Sequence, residues 1–293
     1  MSYPEIEAAL REHLHCSRVE KVRPVGGGCI NDNYKYITDK GPFFVKVNED
    51  KDALHMFQAE AKGLQALAKA QAFRVPEVYH LGELANGGFL IMEYIQFKDG
   101  PVAEKDYKAL GKQLARLHSF KDPEVDRFGF ACDNTIGSTP QINTWKESWI
   151  DFFTARLEYQ LSLARDRFSD LYNQARPVVE NLPRFFEGIN PIKPSLLHGD
   201  LWLGNCSMDQ QGGWVLYDPA TYWGHSEAEL SIMTLFSGLP NEFWEEYFQH
   251  IPREPGFDQR HELYSLYHAL NHLNIFGSGY ASMCSRILKK LRQ

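Results

Sequence analysis

The run LLHGDLWLGNC at residues 196–206 and the run WVLYDP at residues 214–219 carry the most information about the fold. Apolar residues lead into the first loop, and the apolar second run is typical of a buried strand. The two runs place Asp200, Asn205 and Asp218 on a strand, a loop and a second strand. We therefore expect three side chains that bind metals or accept protons to converge.

The spacing of these three residues indicates phosphoryl transfer. Asn205 follows Asp200 by five residues, the separation by which phosphotransferases pair a base with a metal ligand. The Asp218 carboxylate and the Asn205 amide oxygen are hard ligands that suit magnesium bound to ATP. Asp200 would orient the attacking hydroxyl and accept its proton. The alternative is an Asx-type loop in which Asn205 and Asp218 only accept hydrogen bonds from the backbone.

Length and composition are those of an ordinary globular protein with one large domain or two lobes. The chain has 293 residues and a formal net charge of −7, which argues against nucleic-acid partners and an anionic membrane surface. Its five cysteines are scattered, so neither a disulfide framework nor a zinc site is indicated. No apolar run resembles a signal peptide or a membrane span, and we expect a cytoplasmic protein.

Residues 1–95 predict a small lobe with a five-stranded antiparallel sheet and a helix. Each β-prone run is bounded by turn residues, and the run at 53–72 is rich in helix-forming residues. A further short helix is expected from Pro4. The predicted strands are 19–25, 33–38, 43–47, 75–82 and 88–95.

Two residues of this lobe are candidates for orienting the nucleotide phosphates. Lys46 lies in an apolar strand, where a buried ammonium requires an anion such as a phosphate or carboxylate. In the kinase template a helix glutamate pairs with this lysine, and we prefer Glu60 to Glu49 and Glu77. The alternatives are an edge lysine that points to water and a solvated glutamate on the helix face.

A glycine-rich turn separates the first two predicted strands. Gly26, Gly27 and Gly28 form a flexible hairpin whose amides could lie over a triphosphate. The turn is neither a Gly-x-Gly-x-x-Gly nor a Walker sequence, so by itself it indicates only a turn. Cys29 follows as a small hydrophobic residue or, if exposed, as an oxidisable thiol.

Residues 96–293 predict a larger, mainly helical lobe. The connector near residue 96 leaves the sheet and exposes backbone groups that suit the edge of an adenine. Ser226 is predicted to cap a helix, with Glu229 three residues later completing a capping box. The predicted helices are 104–120, 145–167, 171–186, 226–237, 243–250 and 261–291.

These features together resemble the fructosamine-3-kinase (ketosamine-3-kinase) family over nearly the whole chain. The family's motifs appear as HGDLWLGN at 198–205, DPATYWGH at 218–225 and TIGSTPQINTW at 135–145. The resemblance implies an α+β, two-lobed, protein-kinase-like fold, shared with aminoglycoside phosphotransferases. It also implies ATP-dependent phosphorylation of the 3-hydroxyl of a ketoamine such as ribulosamine, erythrulosamine or fructosamine. The family's 3-phosphate products are unstable, so the reaction restores the amine and serves deglycation.

The resemblance also implies roles for individual residues. Asp200 would be the proton acceptor, and Mg²⁺ would bind Asn205 and Asp218. The nucleotide would contact Gly26, Gly27, Gly28, Lys46 and Glu60, with Met92, Glu93 and Tyr94 lining the adenine pocket largely through their backbone.

Three residues are candidates for substrate binding. Trp202 is either a flat apolar platform for the sugar or a buried side chain that fixes the loop. Glu227 either meets the cationic amine of a ketoamine or stabilises a helix N-terminus. The third is His225, the last residue of the family motif DPATYWGH.

Two other functions use the same residues. A kinase for an aminoglycoside, a choline-like amine or another sugar would share every catalytic group. An ATP-binding pseudokinase predicts that a catalytic group is missing, and none is missing here. The sequence indicates no oligomeric state.

Overall fold

The computed structural model describes residues 3–26, 31–189, 191–236 and 238–292. The chain divides into two compact units. Unit 1 comprises Met1–Asp99 and Ser207–Pro219, and unit 2 comprises Gly100–Cys206 and Ala220–Gln293. The predicted boundary near residue 96 between two contiguous lobes remains a prediction.

Strands predominate in the first third of the chain, and helices predominate after it. The first elements are α1 (Pro4–Glu12), β1 (Val19–Pro24), β2 (Asp32–Thr38), β3 (Gly41–Asn48), α2 (Ala53–Ala70), β4 (Val78–Glu83) and β5 (Gly88–Glu93). The elements that follow are α3 (Glu104–Ser119), β6 (Asn134–Ile136), β7 (Thr139–Gln141), α4 (Trp149–Ala164), α5 (Ser169–Glu180), β8 (Ser195–Leu197), β9 (Cys206–Met208), β10 (Trp214–Leu216), β11 (Tyr222–Gly224), α6 (Ser226–Leu235), α7 (Asn241–His250), α8 (Phe257–Phe276) and α9 (Ala281–Leu291). Two 3₁₀ turns cover Leu182–Phe186 and Ser278–Tyr280.

Unit 1 is built on a five-stranded antiparallel sheet with strand order β1-β2-β3-β5-β4, which confirms the predicted sheet. Val45 and Val47 of β3 belong to the core cluster that contains α1. Successive side chains of a strand point to opposite faces, so Lys46 lies on the other face. The core on that face is formed by α2 and β5, including Phe57 and Leu90.

Unit 2 is mainly helical, and its core is rich in aromatic rings. The Trp149 indole nitrogen donates to the Tyr264 hydroxyl at 2.9 Å, and its ring lies against Phe152 and Phe153. Trp149, Phe152 and Phe153 are all buried. These three rings are therefore part of the core of unit 2.

Three of the predicted helices differ from the structure by more than two residues at an end. The helix predicted over 145–167 begins at Trp149, because the Ser148 hydroxyl caps it by accepting from the Asp151 amide. The helix predicted over 171–186 is α5 followed by a 3₁₀ turn, in which Pro183 has no amide to donate. The helix predicted over 261–291 is two helices, α8 and α9, because Gly277 adopts a left-handed φ of 86° between them.

Neither disulfides nor membrane spans appear in the described part of the chain. Its cysteines Cys16, Cys132, Cys206 and Cys284 are free thiols. None of the helices in the described ranges is long and apolar enough to cross a membrane.

Buried His268 on α8 makes stability depend on pH. Burial, with the charges of His272 and Arg156, lowers the pKa of His268 to about 3. The unfolded chain takes up this proton near the ordinary value of about 6.5, so it binds more protons than the folded chain between the two values. We therefore expect the free energy of unfolding to fall as the pH drops below about 6.5, with up to about 1.4 kcal/mol per pH unit from this group.

Urea unfolding between pH 7 and pH 4.5 measures this contribution. His268→Gln should reduce the pH dependence relative to the unaltered protein. His55→Gln replaces an exposed histidine and should leave the pH dependence unchanged. An equal pH dependence in the His268→Gln variant and the unaltered protein would contradict the assignment.

Candidate active site

The centre of unit 1 is an ammonium held between two carboxylates. Lys46 Nζ lies 2.6 Å from Glu60 Oε1 and 2.6 Å from Asp218 Oδ1. Lys46 is 3% exposed and Glu60 is 8% exposed, whereas the Asp218 side chain is 39% exposed. The structure therefore brings the predicted phosphate-orienting pair, Lys46 and Glu60, together with the predicted magnesium ligand Asp218, which is the one exposed to solvent.

Charge pairing keeps Lys46 protonated. Burial alone lowers the pKa of an ammonium, but the negative charges of Asp218 and Glu60 outweigh this effect and raise the pKa of Lys46 above its ordinary value. Glu60 extends from α2, and neither Glu49 nor Glu77 is its equivalent. The strand lysine is therefore a fixed cation at neutral pH.

A strained turn presents Asp218. Strand β10 is bound to the chain before β4, because the Leu216 amide donates to the Arg74 carbonyl at 3.0 Å. Two residues later Asp218 adopts a φ of 57°, in the left-handed region that few residues other than glycine occupy. Aspartate is among the residues that tolerate this conformation. The turn directs the Asp218 carboxylate back to Lys46.

The predicted adenine-lining residues lie at the end of β5. Met92 is buried against Phe57 and Leu90 of the sheet core. The Glu93 amide donates to the Glu77 carbonyl at 2.8 Å, so a backbone contact from Glu93 to adenine would have to use its carbonyl.

Tyr94 is the first residue after the strand, and the ammonium of Lys35 lies 4.0 Å from its ring centroid. Of the glycine turn, Gly26 is described, and a side chain there would meet no atom of the other described residues within 4 Å. Gly27, Gly28 and Cys29 lie outside the described residues. The predicted adenine and phosphate contacts of these residues remain predictions.

In unit 2, Asp200 and Asn205 belong to one tight loop. The Asn205 amide nitrogen Nδ2 donates to the Asp200 carbonyl at 2.8 Å and to Asp200 Oδ2 at 3.1 Å. Asn205 is 7% exposed and Asp200 is half-buried. Because both bonds use Nδ2, the amide oxygen Oδ1 is the atom that Asn205 can offer to a cation.

A buried carboxylate holds the start of this loop. Glu229 of α6 is 1% exposed, and it accepts the His198 amide at 2.5 Å and the Gly199 amide at 3.0 Å. Gly199 has a φ of 86°, and a side chain there would come within 2.0 Å of the Ala220 carbonyl oxygen, so the position requires glycine. Glu229 thus positions the backbone immediately before Asp200.

The predicted capping box at this helix is wrong. His225, not Ser226, is the N-cap residue of α6, and no side chain caps the helix. The Glu229 carboxylate is directed to the His198 and Gly199 amides before Asp200 and not to its own helix terminus. Two charge-assisted hydrogen bonds from buried amides stabilise the fold more than one exposed helix cap would.

Trp202 is an exposed aromatic residue beside Asp200. Its side chain is 41% exposed, so it is not the buried side chain that was the alternative. The indole lies across Gly204, where an added Cβ would come within 2.2 Å of the ring. The Trp202 amide also donates to the Asp200 carbonyl at 3.1 Å. The indole is therefore fixed in place and accessible.

The placement of His225 and Glu227 does not support their predicted contact with substrate. Glu227 is 6% exposed, and its carboxylate receives two bonds from the Arg260 guanidinium, at 2.7 and 2.8 Å. His225 is 7% exposed, and its Nδ1 lies 2.7 Å from the Tyr264 hydroxyl. Both residues border a cavity of about 310 Å³ whose lining does not include Asp200.

A metal site made of protein side chains alone is not present in the described ranges. No group of three His, Cys, Asp or Glu side chains there is arranged to hold a metal ion. Burial raises the pKa of the Glu60 carboxyl, although the Lys46 ammonium opposes this shift, and the exposed carboxylate of the cluster is that of Asp218. Asp218 of unit 1 and the Asn205 amide oxygen of unit 2 are each hard oxygen donors of the kind that Mg²⁺ prefers.

The architecture and site define a class of protein. A strand lysine paired with a helix glutamate, together with a His-Gly-Asp loop, is the arrangement of protein-kinase-like phosphotransferases. Aminoglycoside phosphotransferase APH(4)-Ia shares this fold, with a TM-score of 0.68 at 17% identity over 98% of both chains.

Comparison with known proteins is more specific. A family model for fructosamine kinases matches residues 2–293, and the chain belongs to the fructosamine kinase family. Protein-ribulosamine 3-kinase from Oryza sativa subsp. indica is 46% identical over 277 residues, 93% of this chain and 79% of that protein.

Ketosamine-3-kinase from Mus musculus is 35% identical over 315 residues, 98% of this chain and 99% of that protein. A crystal structure of a candidate fructosamine-3-kinase from Haemophilus somnus superposes with a TM-score of 0.85 and 27% identity. It covers 99% of this chain and 97% of that chain. These findings confirm the resemblance inferred from the sequence motifs.

Glu229 provides a test of how the loop is held. Glu229→Ala removes two charge-assisted hydrogen bonds and leaves the His198 and Gly199 amides buried without an acceptor. We expect the free energy of unfolding to fall by about 3 kcal/mol or more, as measured by urea unfolding. Glu229→Gln keeps one side-chain oxygen as an acceptor, so its free energy of unfolding should lie between those of Glu229→Ala and the unaltered protein. Glu245→Gln, at an exposed position, is the matched control, and equal stability of all variants would exclude this role.

Proposed function

We propose that the protein transfers the γ-phosphate of ATP to the 3-hydroxyl of a ketoamine. The observation that carries this proposal is the buried Lys46 ammonium between Glu60 and Asp218, an arrangement suited to orienting nucleotide phosphates. Family membership supports the same reaction, since relatives carry the names protein-ribulosamine 3-kinase and ketosamine-3-kinase.

In this proposal unit 1 binds the nucleotide. Lys46 contacts the phosphates as a permanently charged donor, and Glu60 keeps its ammonium directed at them. The glycine turn that includes Gly26 covers the phosphates, and the segment from Met92 to Tyr94 lines the adenine. The buried ion pair costs little reorganisation during reaction, because its members are already fixed.

Unit 2 supplies the group that acts on the acceptor. Asp200 accepts a hydrogen bond from the attacking hydroxyl and orients its lone pair toward the γ-phosphorus. It takes the hydroxyl proton as the new O–P bond forms and the bond from the γ-phosphorus to the β,γ-bridging oxygen breaks, which releases ADP. The Asn205 amide restrains the Asp200 carboxylate by donating a hydrogen bond to Oδ2. A loose transition state requires placement of the hydroxyl more than a strong base.

Magnesium is the cation that the two oxygen donors would hold. Asp218 and the Oδ1 atom of Asn205 would bind it, and it would neutralise charge on the β- and γ-phosphates. The Asp218 carboxylate, which is 39% exposed, supports a cation at this place.

The acceptor is proposed to be a ketoamine formed on an amine or a protein lysine. Loss of the resulting 3-phosphate would restore the amine, so the activity would serve deglycation. A cytoplasmic location and the exclusion of nucleic-acid partners remain predictions. An aminoglycoside as acceptor is supported only by a shared fold at 17% identity.

A coupled assay of ADP formation tests the proposed function. The acceptors are synthetic ribulosamine, erythrulosamine and fructosamine, compared with an aminoglycoside and choline. We expect magnesium-dependent turnover of at least one ketoamine and much slower turnover of the aminoglycoside and of choline. Turnover of the aminoglycoside or choline alone would replace the proposal with the alternative kinase, and turnover of none would refute both.

Asp200 provides a test of the mechanism. Asp200→Asn keeps the shape of the side chain and removes its capacity to accept a proton, so we expect kcat to fall by about 10³-fold or more. The dissociation constant of ATP should stay within about twofold, as measured by calorimetry. Asp166→Asn changes an exposed aspartate of the same unit and should retain full activity. Undiminished turnover by Asp200→Asn would show that another residue is the base.

A further inference from the structure

Unit 2 carries a cluster of partly exposed aromatic rings that continues from the candidate active site. We call this cluster the aromatic patch; it consists of Trp202, Phe236, His272, Phe276 and Tyr280. Trp202 is 41% exposed, Phe236 40% and Phe276 54%, which makes them three of the large apolar side chains that the structure leaves open to solvent. Contiguous exposed aromatic surface is uncommon in a protein without a ligand or partner for it.

The patch is assembled from separate parts of the chain. Trp202 comes from the loop after Asp200, Phe236 from the end of α6, and Phe276 from the end of α8. The Trp202 and Phe236 rings meet edge to face with centroids 6.4 Å apart. The ring centroids of Phe236 and His272 lie 4.6 Å apart, and those of Phe276 and Tyr280 lie 6.0 Å apart. Contacts between rings of different elements hold the patch in one arrangement.

One end of the patch is tied to the reacting group. Trp202 follows Asp200 by two residues, and its amide donates to the Asp200 carbonyl. A substrate whose hydroxyl reaches Asp200 therefore has the Trp202 indole beside it. The remaining rings extend from Trp202 by successive contacts, so they are placed for a portion of the substrate further from the reacting hydroxyl.

The chemistry of the patch suits an amine with an apolar substituent. Ring faces attract an alkylammonium through cation–π interactions and bury apolar groups attached to it. The imidazole of His272 adds no repelling charge at neutral pH, because burial lowers its pKa. Its Nδ1 is also engaged with the His268 carbonyl at 2.9 Å.

We propose that the aromatic patch binds the amine substituent of the ketoamine and makes the enzyme prefer apolar and aromatic substituents. This inference rests on the proposed function, and it adds Phe236 and Phe276 as specificity-determining residues. The sugar lies at Trp202 and Asp200, and the substituent on nitrogen extends over Phe236 and Phe276. Neither phenylalanine takes part in the transfer itself.

The test compares two ribulosamines that share the same sugar, one made from benzylamine and one from methylamine. For the unaltered protein we expect a higher kcat/KM with the benzyl compound, through a lower KM. Phe236→Ala and Phe276→Ala should each reduce the ratio of the two kcat/KM values roughly tenfold, which is the order of magnitude expected for one aromatic contact. Most of the change should appear in KM and little in kcat.

Controls separate specificity from folding. Leu163→Ala removes an apolar side chain that is 40% exposed on α4, outside the patch, and should leave the ratio unchanged. Phe236→Leu and Phe276→Leu keep apolar volume for packing and remove the ring, so they should lower the ratio without lowering the melting temperature. ATP affinity should be the same in every variant.

Three outcomes would overturn the proposal. Equal losses for both ribulosamines would mean that the patch only supports the Trp202 loop. Unchanged kcat/KM values for both ribulosamines would mean that the substituent lies elsewhere. A dimer that becomes a monomer in Phe276→Ala, as measured by sedimentation, would mean that the patch binds a second copy of the chain. Failure of the unaltered protein to turn over either compound would instead count against the proposed function, and this inference would fall with it.

Discussion

The structure of unit 1 depends on keeping one ammonium charged inside an apolar core. Lys46 is almost fully buried, and a buried ammonium without counterions would lose its proton or unfold its surroundings. Glu60 and Asp218 prevent this, each with a carboxylate oxygen 2.6 Å away. The pairing needs a central strand, the helix that covers it and the turn after β10 in fixed positions. The arrangement of unit 1 is therefore what makes a charged lysine possible at this depth.

A second buried carboxylate performs a comparable task in unit 2. Glu229 fixes backbone and not a side chain, because it accepts the amides of His198 and Gly199 just before Asp200. Asn205 then restrains Asp200 from the other end of the loop. Buried Leu201 anchors the loop by packing, and the hydrogen bonds to Glu229 fix the backbone just before Asp200. Removing the Glu229 charge would therefore disturb the position of Asp200 through the backbone of the loop.

Much of this arrangement follows from the sequence, because its signals are local. Lys46 interrupts an apolar strand, and a helix begins soon enough after it to return Glu60 to the same face. The Asp200 and Asn205 pair also lies within one loop. Contacts between distant segments were not predictable in this way. Glu229 matched a local capping pattern, yet its partners lie 31 and 30 residues earlier. Only the apolar run that follows it, LSIM at 230–233, hinted that it is buried.

The candidates for substrate binding show the same limit. Glu227 reads as an acid near the site, but Arg260, 33 residues later, occupies both of its oxygens. Nothing near Glu227 in the sequence points to that arginine. Trp202 was ambiguous for the opposite reason, since a tryptophan in a loop fits both burial and exposure. Gly204 settles its position, because the indole lies across the space that a side chain would fill.

Burial thus separates residues that hold the site from residues that a substrate can reach. Glu60, Glu229, Glu227 and His225 are each less than a tenth exposed and are already engaged with partners. Asp218, Asp200 and Trp202 are more exposed, and each is tied at one end to a buried group or a tight turn. Displacing a buried charge such as Glu227 or Glu229 from its partners costs several kcal/mol, so an acceptor would contact the residues of the second group instead. Specificity among acceptors must therefore come from accessible surface next to Asp200, which is where the exposed rings lie.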